Sequence, residues 1–253
     1  MGFAGNSLDC PSDLAAPDSL FEQGAWFYAM CREYLFRDHT KEIARSLFPA
    51  EPGPGTHVLE LGCGPGFYAC RLAAMYPQVS ATGVDLSDRL IERAKMRAAR
   101  RSLENCRFCR GDAQALPELP FPVDAVILSR LFLIVPDKQA VLSEVFRILR
   151  PGGRCFIAEP TSELRTRVPL SCLWLLAKMR DGLRGGVSSR FREPRQAEVM
   201  SRAEFAALVH GQPWTSVELV HDGWYQYAVC AKAQDEATTF ADPASGASGA
   251  SGD

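Results

Sequence analysis

Apolar and polar positions follow two rhythms along this chain. Short runs at 57–61, 79–84, 105–110, 123–128 and 153–158 read as strands, each too brief for a helix and bounded by turn-forming residues. The segments 66–75, 87–100 and 137–149 instead space apolar residues three and four apart, which predicts helices with one buried face. Such alternation predicts a parallel sheet covered on both faces. Two helices are expected earlier, at 19–36 and 38–48, joined to the first strand by the turn-rich PAEPGPG of 49–55. Beyond Pro160 the alternation stops. Residues 162–186 predict one or two helices and 201–209 another, while 215–221 and 224–233 read as a closing antiparallel pair. The expected fold is α/β, a doubly wound, mostly parallel seven-stranded sheet with an antiparallel last strand and a helical cap. Residues 1–18 read as a loose N-terminus and the Ala/Ser/Gly-rich 241–253 as a disordered tail. Residues 19–240 form the expected domain, with a core at 56–160 and a cap drawn from 19–48 and 161–210.

Composition narrows the function classes. The net charge is −2, so no global grip on nucleic acid is implied. Nine cysteines without a disulfide rhythm point to a reducing, cytoplasmic setting and buried thiols. Cys106 and Cys109 have CxxC spacing, but no second ligand pair accompanies them, so no metal is expected. No basic-then-apolar leader opens the chain, and no run of about 18 apolar residues reads as a membrane span.

The chemistry-bearing stretch is VLELGCGPGFYACRLA (58–73), a strand, a glycine-rich turn and a helix. Such a turn admits a ligand close to the backbone, and the helix start offers free N–H groups. A dinucleotide fingerprint needs its third glycine at position 67, where Phe67 stands. The Gly-Lys-Ser/Thr of a phosphate loop is also missing. Asp85 ends the second strand, where a carboxylate can accept from two ribose hydroxyls or cap the next helix. Asp112 ends the third strand, where it can accept from an exocyclic amine.

Five motifs, LELGCGPG (59–66), GVDLS (83–87), GDAQALP (111–117), DAVILSRLFLIV (124–135) and LRPGG (149–153), follow one another at fixed spacing. In this the chain resembles the class I S-adenosylmethionine-dependent methyltransferases, especially the small-molecule branch of the ubiquinone and menaquinone methyltransferases. The resemblance covers about residues 56–160 and implies a Rossmann-like fold with S-adenosylmethionine as cofactor. It implies that Glu60, Gly62, Cys63 and Gly64 line the amino-acid end of the cofactor, and that Gly66 starts the helix beneath it. Asp85 would hold the ribose, Leu86 would pack on the adenine, and Asp112 with Ala113 would meet the adenine amine. Ser129 would lie under the methionine part, and Tyr28 would reach the cofactor or substrate from an N-terminal helix, unless it only packs on the core.

Methyl transfer from a sulfonium asks for alignment and dryness more than for a strong base. Two candidates lie at strand ends. Arg130 cannot be a base, but it can bind an anionic or phenolic group or form a surface ion pair. Glu159 can orient or deprotonate a substrate, or pair with an arginine of the cap. His221 closes a predicted strand beside the aromatic WYQY (224–227), and Trp174 lies in the apolar centre of 163–195; both are candidate substrate contacts. That segment carries eight basic and three acidic side chains, a net +5. It fits a lid over an apolar or aromatic substrate, a helix packed on the core, or a peripheral membrane contact. The expected activity is methylation of a small molecule at O, N or C. The alternatives are another reaction of the same cofactor or a non-catalytic regulatory role.

Overall fold

The computed structural model describes residues 29–33, 37–161 and 199–234. Tyr28, Trp174, the terminal segments and most of the expected cap lie outside the described residues.

A seven-stranded sheet forms the centre, in the order β3-β2-β1-β4-β5-β7-β6. The strands are β1 (His57–Leu61), β2 (Ser80–Asp85), β3 (Cys106–Arg110), β4 (Val123–Ser129), β5 (Leu149–Pro160), β6 (Ser216–His221) and β7 (Tyr225–Ala231). The helices are α1 (Thr40–Leu47), α2 (Phe67–Met75), α3 (Asp88–Arg100), α4 (Lys138–Ile148) and α5 (Arg202–Val209). β1 to β5 run parallel, and β7 is antiparallel to both β5 and β6. The expected sheet, with its antiparallel last strand, is therefore present.

β1 and β4 are buried on both faces, which is why they read as continuous apolar runs. On one face α4 and α5 press Val141, Leu142, Val145, Phe205 and Val209 against Leu128, Ile157 and Ala228. On the other, Ile43 and Leu47 of α1 and Phe67, Tyr68 and Leu72 of α2 cover Val58, Ile127 and Phe156. A third cluster packs α2 and α3 over Ala81, Cys106 and Phe108. Cys106 and Cys109 face opposite sides of β3, so their CxxC spacing cannot converge on one ion. Among the described residues no group of three or more potential ligands could hold a metal, and no helix is long and apolar enough to cross a membrane.

Local chemistry fixes where helices begin. Ser87 accepts from Leu90 N at 3.2 Å and caps α3. Asp137 accepts from Ala140 N at 2.9 Å and caps α4. Ser201 and Glu204 close a reciprocal capping box on α5.

Asn105 locks the turn after α2 to the start of β3. Its amide donates to Ala73 O at 3.0 Å and to Val79 O at 2.8 Å. Asn105→Ala strands both carbonyls and is expected to cost about 1–3 kcal/mol in a urea melt. An unchanged midpoint would show that water replaces the amide.

Candidate functional site

The carboxyl ends of the five parallel strands share one rim of the sheet, where a ligand can approach between the connections. Gly62, Gly64 and Gly66, which follow β1, all have positive φ (64°, 52° and 69°), so the backbone there is closed to most side chains. Asp85, at the end of β2, bends towards this loop: its Oδ2 accepts from Gly64 N at 2.8 Å and its Oδ1 from Ser87 N at 2.9 Å. Since Ser87 is the cap of α3, Asp85 is not needed for that task. A carboxylate accepts at up to about four lone-pair sites, so a ligand hydroxyl can share it with these backbone donors. Leu86 follows with 39% of its surface exposed, an apolar side chain left open beside a carboxylate. Across the rim, Asp112 holds a tight turn in which its Oδ1 accepts from Gln114 N at 2.9 Å, with Ala113 buried beside it.

The glycines answer first to the chain's own side chains. A Cβ on Gly66 would stand 2.5 Å from the Phe108 ring, one on Gly83 would meet the same ring at 2.5 Å, and one on Gly62 would stand 2.7 Å from Leu131 Cδ1. Beside any ligand, the Phe108 ring of β3 crowds position 66, while position 62 meets only the end of the Leu131 side chain.

Glu60 is buried, and its Oε2 accepts from Ala69 N at 2.8 Å. Burial pushes its carboxyl up to about 7, against the pull of that bond and of Arg32. It thus serves the first turn of α2, and its bond joins the end of β1 to the helix that the glycine turn launches. Cys63 is buried, with its sulfur within 3.6 Å of Gly64 O. Ser129 ends β4 near the buried Tyr68 hydroxyl.

Arg130 adopts φ 60°, a left-handed conformation that costs a non-glycine residue about 1–2 kcal/mol. Its N–H reaches Ala158 O at 2.8 Å and its guanidinium donates to the Tyr225 hydroxyl at 3.2 Å. Glu159, at the end of β5, is 1% exposed, and its Oε1 accepts from Phe132 N at 2.9 Å. Burial pushes this carboxyl up to about 8, with Phe132 and Arg130 acting in the opposite direction. His221 ends β6 and pairs in register with Gln226 of β7, a buried amide that the sequence reading does not single out. The alternation within YQYAVCA was the available signal, because it puts Gln226 on the face of Ala228 and Cys230.

The adenosyl group fits these residues: a loop of positive-φ glycines bonded to a carboxylate, an open apolar side chain next to it, and a second carboxylate one strand further on. A family model described as a methyltransferase domain matches residues 52–202. An arsenite methyltransferase of Halobacterium salinarum is 38% identical over 112 residues, 44% of this chain and 28% of that protein. A ubiquinone/menaquinone biosynthesis C-methyltransferase of Desulfotalea psychrophila is 38% identical over 111 residues, 44% of either chain. This chain therefore spans less than half the length of these two curated relatives. Among solved structures, phosphoethanolamine N-methyltransferase 2 of Haemonchus contortus in complex with S-adenosyl-L-methionine superposes with a TM-score of 0.62 at 14% identity, covering 88% of this chain and 61% of that one. An Aquifex aeolicus SAM-dependent methyltransferase gives 0.59 at 16% identity, with 82% and 97% covered. At such identities these two likenesses speak for the fold.

Proposed function

Since the chain belongs to the methyltransferase domain family, with the class I S-adenosylmethionine-dependent fold, we propose that it transfers a methyl group from S-adenosylmethionine to a small molecule at O, N or C. The observation that carries this reading is the bond between Gly64 N and Asp85 Oδ2 at 2.8 Å, which brings an acidic strand end onto the glycine turn. The cofactor, when bound, supplies a methyl group already activated on sulfur. The residues here have the remaining work of binding, alignment and exclusion of water.

In this reading Asp85 accepts from the ribose hydroxyls, Leu86 packs on the adenine face, and Asp112 and Ala113 meet its amine. Gly62, Cys63 and Gly64 line the amino-acid end, with Gly66 launching α2 beneath it. Glu60 acts from below, by holding the start of that helix. Ser129 closes the floor, while Tyr28 and Trp174, which lie outside the described residues, are assigned to the cofactor and to the substrate from the sequence alone. Arg130, steadied by Tyr225, offers a fixed positive charge to an anionic or phenolic substrate group, and Glu159 and His221 belong to the substrate side. An apolar or aromatic substrate is supported by the sequence of 163–195, where leucines and Trp174 lie between basic flanks. The same pattern supports a peripheral membrane contact.

Calorimetric titration with S-adenosylhomocysteine, with NADH as control, tests the cofactor. Asp85→Ala is expected to weaken binding by about 1.5–3 kcal/mol, the scale of hydrogen bonds to a charged group. Unchanged affinity in the folded variant would remove Asp85 from the site. Tight binding without turnover on any small molecule would favour a regulatory protein over an enzyme.

A further inference from the structure

Three side chains stand in one row across β5, β7 and β6. Glu159 pairs in register with Gln226, and Gln226 pairs with His221. Cross-strand partners share a face, and this one is the face of Ile157, Ala228 and Leu219. Each member of the row carries a buried polar atom with no hydrogen-bond partner: Glu159 Oε2, Gln226 Oε1 and His221 Nδ1. Their other ends are engaged. Glu159 Oε1 accepts from Phe132 N at 2.9 Å, and Gln226 Nε2 donates to Met200 O at 3.0 Å. The second bond fixes the amide, because turning it over would set two carbonyl oxygens against each other.

Buried polar atoms are nearly always satisfied, and three unsatisfied ones side by side call for a common partner. Neighbouring strands lie about 4.8 Å apart, so the row offers hydrogen-bonding groups at that spacing. It sits at the carboxyl end of β5, where the segment after β4 contributes Leu131 and Phe132 as apolar neighbours. The opposite face of the same strands is occupied differently: there Tyr227 donates to Asp222 at 2.7 Å, and His39 packs edge-on against Tyr225 and Tyr227.

We propose that Glu159, Gln226 and His221 form the specificity site for the methyl-receiving substrate, and that they select a small apolar ring bearing two hydroxyl or N–H donors at about the strand spacing. The proposal rests on the transferase reading above. Gln226 Oε1 takes one donor and His221 Nδ1 the other, the protonated Glu159 Oε2 donates to the first hydroxyl's oxygen, and Leu131 and Phe132 flank the ring. A ring without donors would leave Gln226 Oε1 and His221 Nδ1 buried and unsatisfied and is rejected for that reason.

The test uses the full chain saturated with S-adenosylhomocysteine, whose binding is read first in its own titration. 1,3-Dihydroxybenzene and its dimethyl ether are then titrated by calorimetry or ligand-observed magnetic resonance. The diol is expected to bind saturably and the ether at least tenfold more weakly. Gln226→Leu should lower diol affinity at least tenfold while leaving S-adenosylhomocysteine affinity intact. Glu159→Gln, which keeps an oxygen for Phe132 N and, like the protonated acid, turns a donor towards the row, should keep diol affinity within a few-fold, whereas Glu159→Leu should lower it at least tenfold. Equal binding of the ether, full diol affinity in Gln226→Leu, or no diol binding would overturn the proposal. In the last case Glu159 and Gln226 satisfy each other through a shared proton. Failure of S-adenosylhomocysteine to bind is a separate result and counts against the transferase reading.

Discussion

Glu159→Gln is expected to lose about 3 kcal/mol less stability than the parent protein when both are moved from pH 5 to pH 8. The Glu159 carboxyl is held at about 8 by burial, against an ordinary value of 4.5. Between those two values the unfolded chain gives up the proton while the folded one keeps it. The stability is therefore fully present below the unfolded value and is lost as pH rises towards 8. Glutamine has no proton to lose, so the variant lacks this slope. Glu60, pushed up to about 7, contributes in the same direction in both proteins and cancels in the comparison. Urea melts of the two proteins at pH 5, 6.5 and 8 measure the difference. Parallel stability curves would mean that Glu159 is ionised in the fold.

Gly66→Ala is expected to cost about 3–5 kcal/mol and to lower the melting temperature by about 10 °C. The residue has φ 69°, and its added Cβ would stand 2.5 Å from Phe108 Cζ and 2.8 Å from Ala94 Cβ. Strain and collision add, because one is set by the backbone and the other by the ring. Phe108→Leu should relieve only the collision, so the double variant is expected to be more stable than Gly66→Ala alone. If the two losses add independently, the ring is not what forbids a side chain at position 66.

β1 and β4 were legible because they are buried on both faces and so are written as short apolar runs, whereas the edge strand β3 has Arg107 exposed between buried residues. β5 was legible only in part. Gly152 and Gly153 read as a turn, yet the strand is continuous from Leu149, since Leu149 pairs with Val123 and Gly152 N donates to Ala233 O at 2.9 Å. Those partners are remote in sequence, and no local pattern announces them. Asp85 and the glycine turn were legible by residue type and spacing, but the crowding of Gly66 was not, because Phe108 arrives from another element. The engagement of Glu60 with α2 was hidden in the same way. Arg130 gives no sign of its left-handed backbone, since arginine, unlike glycine or asparagine, carries no such signature. Gln226 was passed over because an amide among aromatics looks incidental until register places it between Glu159 and His221.

The order β5-β7-β6 means that the last strand of the sheet lies between two made before it. During synthesis β6 leaves the ribosome with no edge to join, because its one neighbour among the described residues, Tyr225–Ala231, has not yet been translated. β5 meanwhile waits with one edge open. The nascent chain can assemble β1 to β5 as they emerge, and β6 and β7, joined through residues 222–224, then close as a local hairpin whose β7 edge docks on β5. A premature stop between β6 and β7 would thus leave two unpaired edges in place of one missing strand, a product suited to proteolysis or aggregation.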